Sequence, residues 1–500
     1  MRTKNSVWNY LSFVIPYIVI GIIGLFKIKL FISILGVETQ GVYQLFTQLF
    51  VYLALAESGF STAVVYEYFK PLSSKNFKKI GQIFSGATKI FLYIGLAILI
   101  IGIILSFNLN LIIKTDFFEY SYLQVAFIIF LVSEIINYFF ASYRILFIAD
   151  QKNYKVNIVM QSFLIIRTSM EIALLLLGYD LIIIISSHII TSLLSNIIIV
   201  YLAKKEYKQI NFKEPIKDYS ATKHIKSIIP HKIGSLVSNN IDIVIISAFV
   251  NLTTVAIYAV YNYIMIFINR LVLKITPSIT SGIGNLLIVN QEKRTKFFNE
   301  LNSSMFLIAI IICIPLFFFL NPFIELWVGE NMLVSRTTSL LFVIILFFHI
   351  VRIPINSFVN AAGLFKETRL ATIVESIINL SITLLLVRKY GISGVLLATI
   401  IACIVDLNYR VFIIYKGFLK ISIKYYYIQL LKHITIISLI SLLNLYIYNV
   451  YENYIEQNFI AWFLCGTGIF IMNSILLIFL YKRFFPEINL VGRIKIAIMK

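Results

Sequence analysis

The sequence predicts an all-α polytopic membrane protein, and three observations predict it. Hydrophobic residues make up 60% of the 500-residue chain and charged residues only 13%. Mean hydropathy is +0.91. Apolar runs of the ~20 residues that a helix needs to cross a bilayer recur from end to end. With no water in the hydrocarbon core, the backbone of such runs must satisfy its own polar groups, which continuous helices do.

About fourteen transmembrane helices are expected. The first, near 8–35, follows Arg2 and Lys4. Its apolar run is longer than the ~7–15-residue core of a signal peptide and no small-residue cleavage site follows, so it is expected to stay as a membrane helix. The others lie near 42–66, 84–106, 122–144, 156–178, 181–203, 227–250, 254–278, 302–321, 338–361, 370–388, 393–415, 426–448 and 459–481. Basic residues between them set the orientation. With the N-terminus inside, the inner connections include "KPLSSKNFKK", "RILFIADQKNYK", "KKEYKQINFKEPIKDYSATKHIK", "QEKRTK", "KETR" and "KGFLKISIK", and the C-terminal stretch is inside too. Roughly 29 basic residues then lie inside and about four outside (Lys114, Arg336, Arg388, Lys389), as the positive-inside rule requires. Both termini are expected in the cytoplasm.

The net charge of +20 is therefore loop charge that orients the chain, and no nucleic-acid partner is expected. Cys313, Cys403 and Cys465 are scattered through apolar runs without metal-ligand spacing and read as small core residues. The longest inner loop, 204–226, has no core of its own, and no outer loop exceeds roughly twenty residues. No HExxH, GxSxG, P-loop or acidic cluster occurs. The "SGIG" at 281–284 reads as a helix break, and His188 and His433 as core or pore-lining histidines without partners at useful spacing. The chain is expected to be no enzyme and to need no cofactor or metal.

An internal repeat is visible at an offset of 214. It pairs "SFVIP" (ending at Pro16) with "KSIIP" (ending at Pro230), Ser33 with Ser247, and "KNYKVNIVMQS" (Lys152 to Ser162) with "KETRLATIVES" (Lys366 to Ser376). Six spans separate the halves, an even number, so the repeats run parallel about an axis along the membrane normal. The expected organisation is a six-helix bundle at 1–203, a cytoplasmic linker at 204–226, a second six-helix bundle at 227–415 and a C-terminal two-helix extension at 416–500.

Charges inside the spans are the candidate site. A charge in hydrocarbon costs at least ~2.5–3.5 kcal/mol on insertion scales. Lys27 and Lys29 lie in "GIIGLFKIKLFISILG", residues 21–36. Counting back from Gly36, Lys27 is ~13 Å inside, near the midplane of a ~30 Å core and beyond comfortable snorkelling. Lys29 could reach the outer interface. Arg270 and Lys274 share a face of the eighth span. Arg352 follows His349 by three in the tenth, and Lys232 lies just inside the seventh. Arg167 with Glu171, and Asp406 with Arg410, have the spacing of internal ion pairs. The unpaired acids are fewer: Glu57, Glu134, Asp242 and Glu375. Asp242 falls opposite Ile28 under the repeat and is the expected counter-ion of Lys27. A net cationic path between the halves, suited to an anionic head group, is expected to be lined by Lys27, Arg270 and Arg352, with Lys29 and Lys274 as second choices.

The stretch "LGVETQGVYQLFTQLFVYLALAESGFSTAVVYEYFKPLSSKNFKKI", residues 35–80, resembles the N-terminal signature of Wzx-type polysaccharide flippases. Their superfamily also holds the MATE multidrug exporters and the MurJ-type flippases. "YGISGVLLATIIA", residues 390–402, is similar to the superfamily's turn between the eleventh and twelfth spans. The resemblance implies fourteen spans in a 6+6+2 layout in the bacterial cytoplasmic membrane. It implies transfer of an undecaprenyl-diphosphate-linked oligosaccharide from the inner to the outer leaflet by alternating access, for a capsule, O-antigen or similar surface polymer. Implied partners are that polyprenyl-linked cargo, membrane lipids, and the polymerase and chain-length proteins of the same pathway. In the MurJ-like relatives basic residues on the first and eighth spans line the cavity, and Lys27 and Arg270 occupy comparable places, with lysine where arginine is usual. Two alternatives stay open: a MATE-like exporter of small molecules, which would favour embedded acids in the first span, and a flippase for another lipid-linked precursor.

Overall fold

The computed structural model describes residues 2–54, 57, 59–220, 241–274, 276, 279–280, 283, 291–455 and 458–486. Among them there is no strand. Ten helices precede residue 274: α1 (Arg2–Leu35), α2 (Val37–Leu53), α3 (Phe60–Ser73), α4 (Phe77–Ser106), α5 (Tyr120–Phe139), α6 (Ala141–Ala149), α7 (Asn153–Leu176), α8 (Leu181–Glu206), α9 (Asp242–Phe249) and α10 (Leu252–Leu273). Six follow: α11 (Gln291–Val328), α12 (Arg336–Val351), α13 (Ile353–Ala362), α14 (Phe365–Phe412), α15 (Ile423–Ile455) and α16 (Phe459–Phe484). The chain divides into two compact units, Met1–Ala256 and Ile257–Lys500, with the division inside α10.

Among the described residues, eleven helical stretches are long and apolar enough to cross a membrane, by length and composition. One of them, Phe365–Phe418, runs for 54 residues, ~80 Å at 1.5 Å per residue. It folds back at Gly391, where φ is 52° and ψ −128°, a region open essentially to glycine alone. The Asn379 amide reaches Thr399 at 3.0 Å across the hairpin. The second expected span is split into α2 and α3, and of the seventh only residues 241–250 lie within the described residues, with α9 inside them. Lys232, the "KSIIP" half of the first repeat match and most of "SGIG" lie outside them.

Polar side chains at the helix starts accept the backbone N–H groups that have no partner of their own. Asn76 takes Lys79 N–H (3.0 Å), Asp180 takes Ile183 N–H (3.1 Å), Ser335 takes Thr338 N–H (3.2 Å) and Asn458 takes Ala461 N–H (2.8 Å). Two spans break in mid-course. The chain leaves helical geometry at Phe140 between α5 and α6, and it steps at Arg352 between α12 and α13, where Pro354 removes an N–H from the ladder. Within "RILFIADQKNYK" only residues 150–152 form the turn: its first six residues belong to α6 and its last three to α7.

These landmarks recur along the chain. The breaks at Phe140 and Arg352 are 212 residues apart, and so are the left-handed residues Gln151 (φ 58°) and Gly363 (φ 69°). The left-handed Gly178 (φ 78°) and Gly391 are 213 apart. The backbone repeats at 212–213, one or two residues short of the offset of 214 suggested by the identities.

The first unit closes one end with residues that sequence alone assigns to a linker. Tyr207 and Ile210 are buried in the same core as Phe60, Phe91 and Leu146, and residues 207–220 run along the start of α4. Asp218 N–H donates to the Gln82 carbonyl (3.0 Å), and Lys79 pairs with the Asp218 carboxylate (2.6 Å). Gly86 makes the close approach possible, since a Cβ there would stand 2.0 Å from the Asp218 carbonyl oxygen. Lys152 bridges Asp150 and Glu206 at 2.8 Å each, tying the end of α8 to the α6–α7 turn.

Two predictions follow from this strap. Gly86→Leu should lift it while leaving the helices assembled, so maleimide labelling of an Ile210→Cys variant, at a buried position of the strap, should accelerate about tenfold or more relative to Gly86. Partial burial alone would raise the Asp218 carboxyl, but hydrogen bonds from Lys79 and Ser220 outweigh it and hold the carboxyl below its ordinary value. A depressed carboxyl contributes stability above its unfolded pKa, ~3.9, and loses it as pH falls through the folded value. Probed at Ile210→Cys with dithiodipyridine, which stays thiol-reactive in acid, and referenced to an exposed cysteine at each pH, relative labelling should therefore be flat from about pH 8 to 5 and rise below about pH 4; a relative rise already at pH 6 would contradict it.

Candidate functional site

Among the described residues each unit holds a buried charge cluster. In the first unit the α7–α8 hairpin sets Glu171 and His188 side by side, and α1 packs along α7. Lys27 on α1 pairs with Glu171 Oε2 at 2.8 Å and donates to the Tyr43 hydroxyl at 3.2 Å, with its ammonium 4.3 Å from the Tyr43 ring centre. Tyr43 O–H donates to Glu171 Oε1 (3.4 Å), and His188 Nε2 contacts the same oxygen at 2.5 Å. Arg167, one turn from Glu171 on α7, lies 3.7 Å from it and pairs more closely with Glu134 on α5, at 3.1 Å. Glu171 is 1% exposed and His188 not at all. Two cations and two carboxylates balance.

The second unit repeats that balance with other residues. The two arms of α14 meet beside the α12–α13 break, and Arg352 stands at the break itself. Its guanidinium donates to Glu375 Oε1 (2.9 Å) on one arm of α14 and to Asp406 on the other. Arg410 pairs with Asp406 at 2.8 Å and donates to Thr372 Oγ1, also at 2.8 Å. Asp406 is fully enclosed. Cys403 Sγ accepts from Arg352 at 3.4 Å.

The expected site residues separate into two groups. Lys27 and Arg352 are buried in the clusters, each on resident carboxylates. The partner of Lys27 is Glu171, where Asp242 was expected. Glu134 and Glu375, expected to be unpaired, hold Arg167 and Arg352. The expected Asp406–Arg410 pair is present, and the expected Arg167–Glu171 pair is a longer, secondary contact. The clusters are therefore neutral, where a net cationic lining was expected. Lys29 and Arg270 are exposed in their units and make no ion pair with a described residue, and Lys274 is half-buried one turn from Arg270.

Several of these residues escape a single-helix reading. His188 has a buried carboxylate partner one helix away. His433, the other histidine read as partnerless, takes the Tyr481 hydroxyl at 2.8 Å and is stacked between Phe306 and Phe485, with centroids at 4.1 and 4.2 Å. Arg144, read as the start of a loop, is turned inward on α6. It donates to the Asn137 carbonyl (2.6 Å) freed by the Phe140 break and to Asn196 Oδ1 (2.8 Å).

Lys27→Ala would leave Glu171 enclosed without its cation, a loss of about 3–5 kcal/mol for a broken buried pair. Its melting temperature in detergent and its membrane abundance should fall, and a Lys27→Ala/Glu171→Gln double variant should recover most of both. Equal losses in the single and double variants would show that Lys27 and Glu171 do not act as a pair.

No protein-family model matches the chain, and a search of curated proteins found none that matches. Solved structures do match. A structure described as "Lipid II flippase MurJ, inward closed conformation" superposes with a TM-score of 0.74 at 20% identity, over 96% of this chain and 99% of that one. An inward-facing multidrug resistance MATE family transporter of the MOP superfamily gives 0.65 at 12% identity, over 80% and 97%. A eukaryotic MATE transporter gives 0.56 at 12% identity, over 83% and 95%. At these identities the likeness is one of fold: the chain has the multi-helix membrane fold of the MurJ and MATE transporters over nearly its whole length.

Proposed function

We propose that the chain is a flippase, with no catalytic activity of its own, that carries an undecaprenyl-diphosphate-linked oligosaccharide across the bacterial cytoplasmic membrane by alternating access for surface polysaccharide synthesis. The proposal includes fourteen spans in two six-helix bundles plus a terminal pair, cytoplasmic termini, and the polymerase and chain-length proteins as pathway partners. The observation that carries it is the sorting of cations inside the spans. Lys27, Arg167, Arg352 and Arg410 have carboxylates, whereas Lys29 and Arg270 are exposed and have none among the described residues. An exposed charge in a span is costly unless a polar surrounding or an opposite charge meets it. A diphosphate head group is such a charge. Lys27 and Arg352 then hold their units in shape and stand second in line for the head group, in reach only if it displaces a carboxylate.

The fold likeness to MATE transporters also favours a second reading, an exporter of small molecules. A cationic drug would call for exposed carboxylates where Lys29 and Arg270 stand, so the flippase is preferred. Removing the chain from its cells should cause lipid-linked oligosaccharide to accumulate. Complementation with Lys29→Ala or Arg270→Ala should leave membrane abundance unchanged and lower surface polymer about tenfold or more, the effect of losing one charge-assisted hydrogen bond of ~1.5–3 kcal/mol. Normal surface polymer in both variants, or no accumulated lipid-linked sugar, would overturn the proposal.

A further inference from the structure

At the end of α4 opposite the strap, the first unit opens into a polar cavity of about 660 Å³. Three connections build it: the α1–α2 turn, the α4–α5 connection and the α9–α10 turn. None of its lining residues belongs to the charge clusters. Its volume is in the ~300–1,000 Å³ range of small-ligand pockets, enough for a short run of linked pyranose rings.

The lining mixes hydrogen-bonding characters. Glu38 and Asp116 only accept, Lys114 only donates, and Asn251 and the Thr115 and Thr253 hydroxyls do both. A site for an anion would not place two carboxylates in the wall, and a site for a cation would not add a lysine. Vicinal hydroxyls, each of which donates and accepts, fit the mixture. The second component is aromatic. Phe117 is 66% exposed and lines the cavity. It packs edge-on against Phe118 (4.8 Å), which stacks on Tyr122 (5.8 Å, 8° between planes). This ledge offers a flat apolar face to the C–H side of a sugar ring.

The cavity is also held in shape before anything binds. Thr115 Oγ1 accepts Phe117 N–H (3.0 Å), setting the ring's position, and Tyr120 O–H donates to the Ile113 carbonyl (3.1 Å). Asn251 Oδ1 accepts from Thr254 N–H (2.8 Å) and its hydroxyl (2.7 Å). Ser247 O–H on α9 donates to the Ile112 carbonyl (2.8 Å), joining two of the three connections. A wall fixed in this way loses little further freedom on binding.

We infer that this cavity is a saccharide-binding subsite for neutral or N-acetylated hexose units, with Asp116, Glu38 and Asn251 on the hydroxyls and Phe117 under the ring. The inference rests on the proposal that the cargo carries sugar, and it assigns those sugars a place distant from the charge clusters.

The test uses the full chain in lipid nanodiscs and saturation-transfer NMR with two free probes, lactose and N,N′-diacetylchitobiose. Saturation should reach the ring protons of at least one probe. Asp116→Asn and Phe117→Ala, both exposed positions, should keep the melting temperature, and together should weaken binding about tenfold or more. Lys75→Ala, on the exposed α3–α4 turn away from the cavity, should leave it unchanged. No transfer to either probe, or undiminished transfer in the double variant, would overturn the assignment. Pocket-dependent binding in a chain that exports no lipid-linked sugar would uphold the subsite and remove only the flippase reading.

Discussion

A carboxylate enclosed in an apolar interior is tolerated only while a cation stands against it, and two such carboxylates organise this protein. Glu171 draws Lys27 from α1, the Tyr43 hydroxyl from α2, Arg167 from its own helix and His188 from α8. Asp406 draws Arg352 from the α12–α13 break and Arg410 from its own helix, with Glu375 completing the set from the other arm of α14. Apolar packing between helices in lipid has no hydrophobic drive of its own, so contacts that fix register carry unusual weight. Each cluster ties together helices that are distant in sequence. A slip of one residue along any of them would turn its charge by ~100° around the helix.

The broken helices obey the same demand for satisfaction. A break frees backbone groups at a depth where water is absent, and they must find partners within the protein. At Phe140 the freed Asn137 carbonyl is taken by the Arg144 guanidinium. At the corresponding step in the second unit an arginine is again present, Arg352, directed to Glu375 and Asp406. The two units thus share backbone landmarks at a spacing of 212–213 while filling them with different side chains. Geometry has been kept where charge has been redistributed.

That difference explains what could be read from the sequence. Helical class, apolar spans and the repeat were legible because they depend on composition and on backbone turns that leave residue signatures, such as the glycines at 178 and 391. Ion pairs one turn apart on a helix were legible in part: Asp406–Arg410 is present, and Arg167–Glu171 is outcompeted. Pairs across hairpins were missed, although a signal existed. Glu375 and Asp406 lie 16 and 15 residues on either side of Gly391, so folding at that glycine brings them level. Glu171 and His188 flank the Gly178 turn in a similar way. Lys27–Glu171 and Arg167–Glu134 had no such signal, because helix adjacency in the bundle, not chain order, decides them.

Neutral clusters and exposed cations have different uses in the proposed transporter. Alternating access needs bodies that keep their internal packing while the environment of the binding surface changes from one side to the other. A buried cation without a resident carboxylate would be drawn toward water or ligand at each change, and would couple the fold to the cargo. Pairing Lys27 with Glu171 and Arg352 with Glu375 and Asp406 removes that coupling and leaves each unit rigid whether or not cargo is present. In the proposed flippase the electrostatic cost of an empty site then falls on Lys29 and Arg270, which make no ion pair with a described residue. Those residues are exposed, and water can solvate them until a diphosphate arrives. On the proposed function, affinity for the head group would be set by exchange of water for phosphate at these cations, without dismantling the clusters that hold the helices in register.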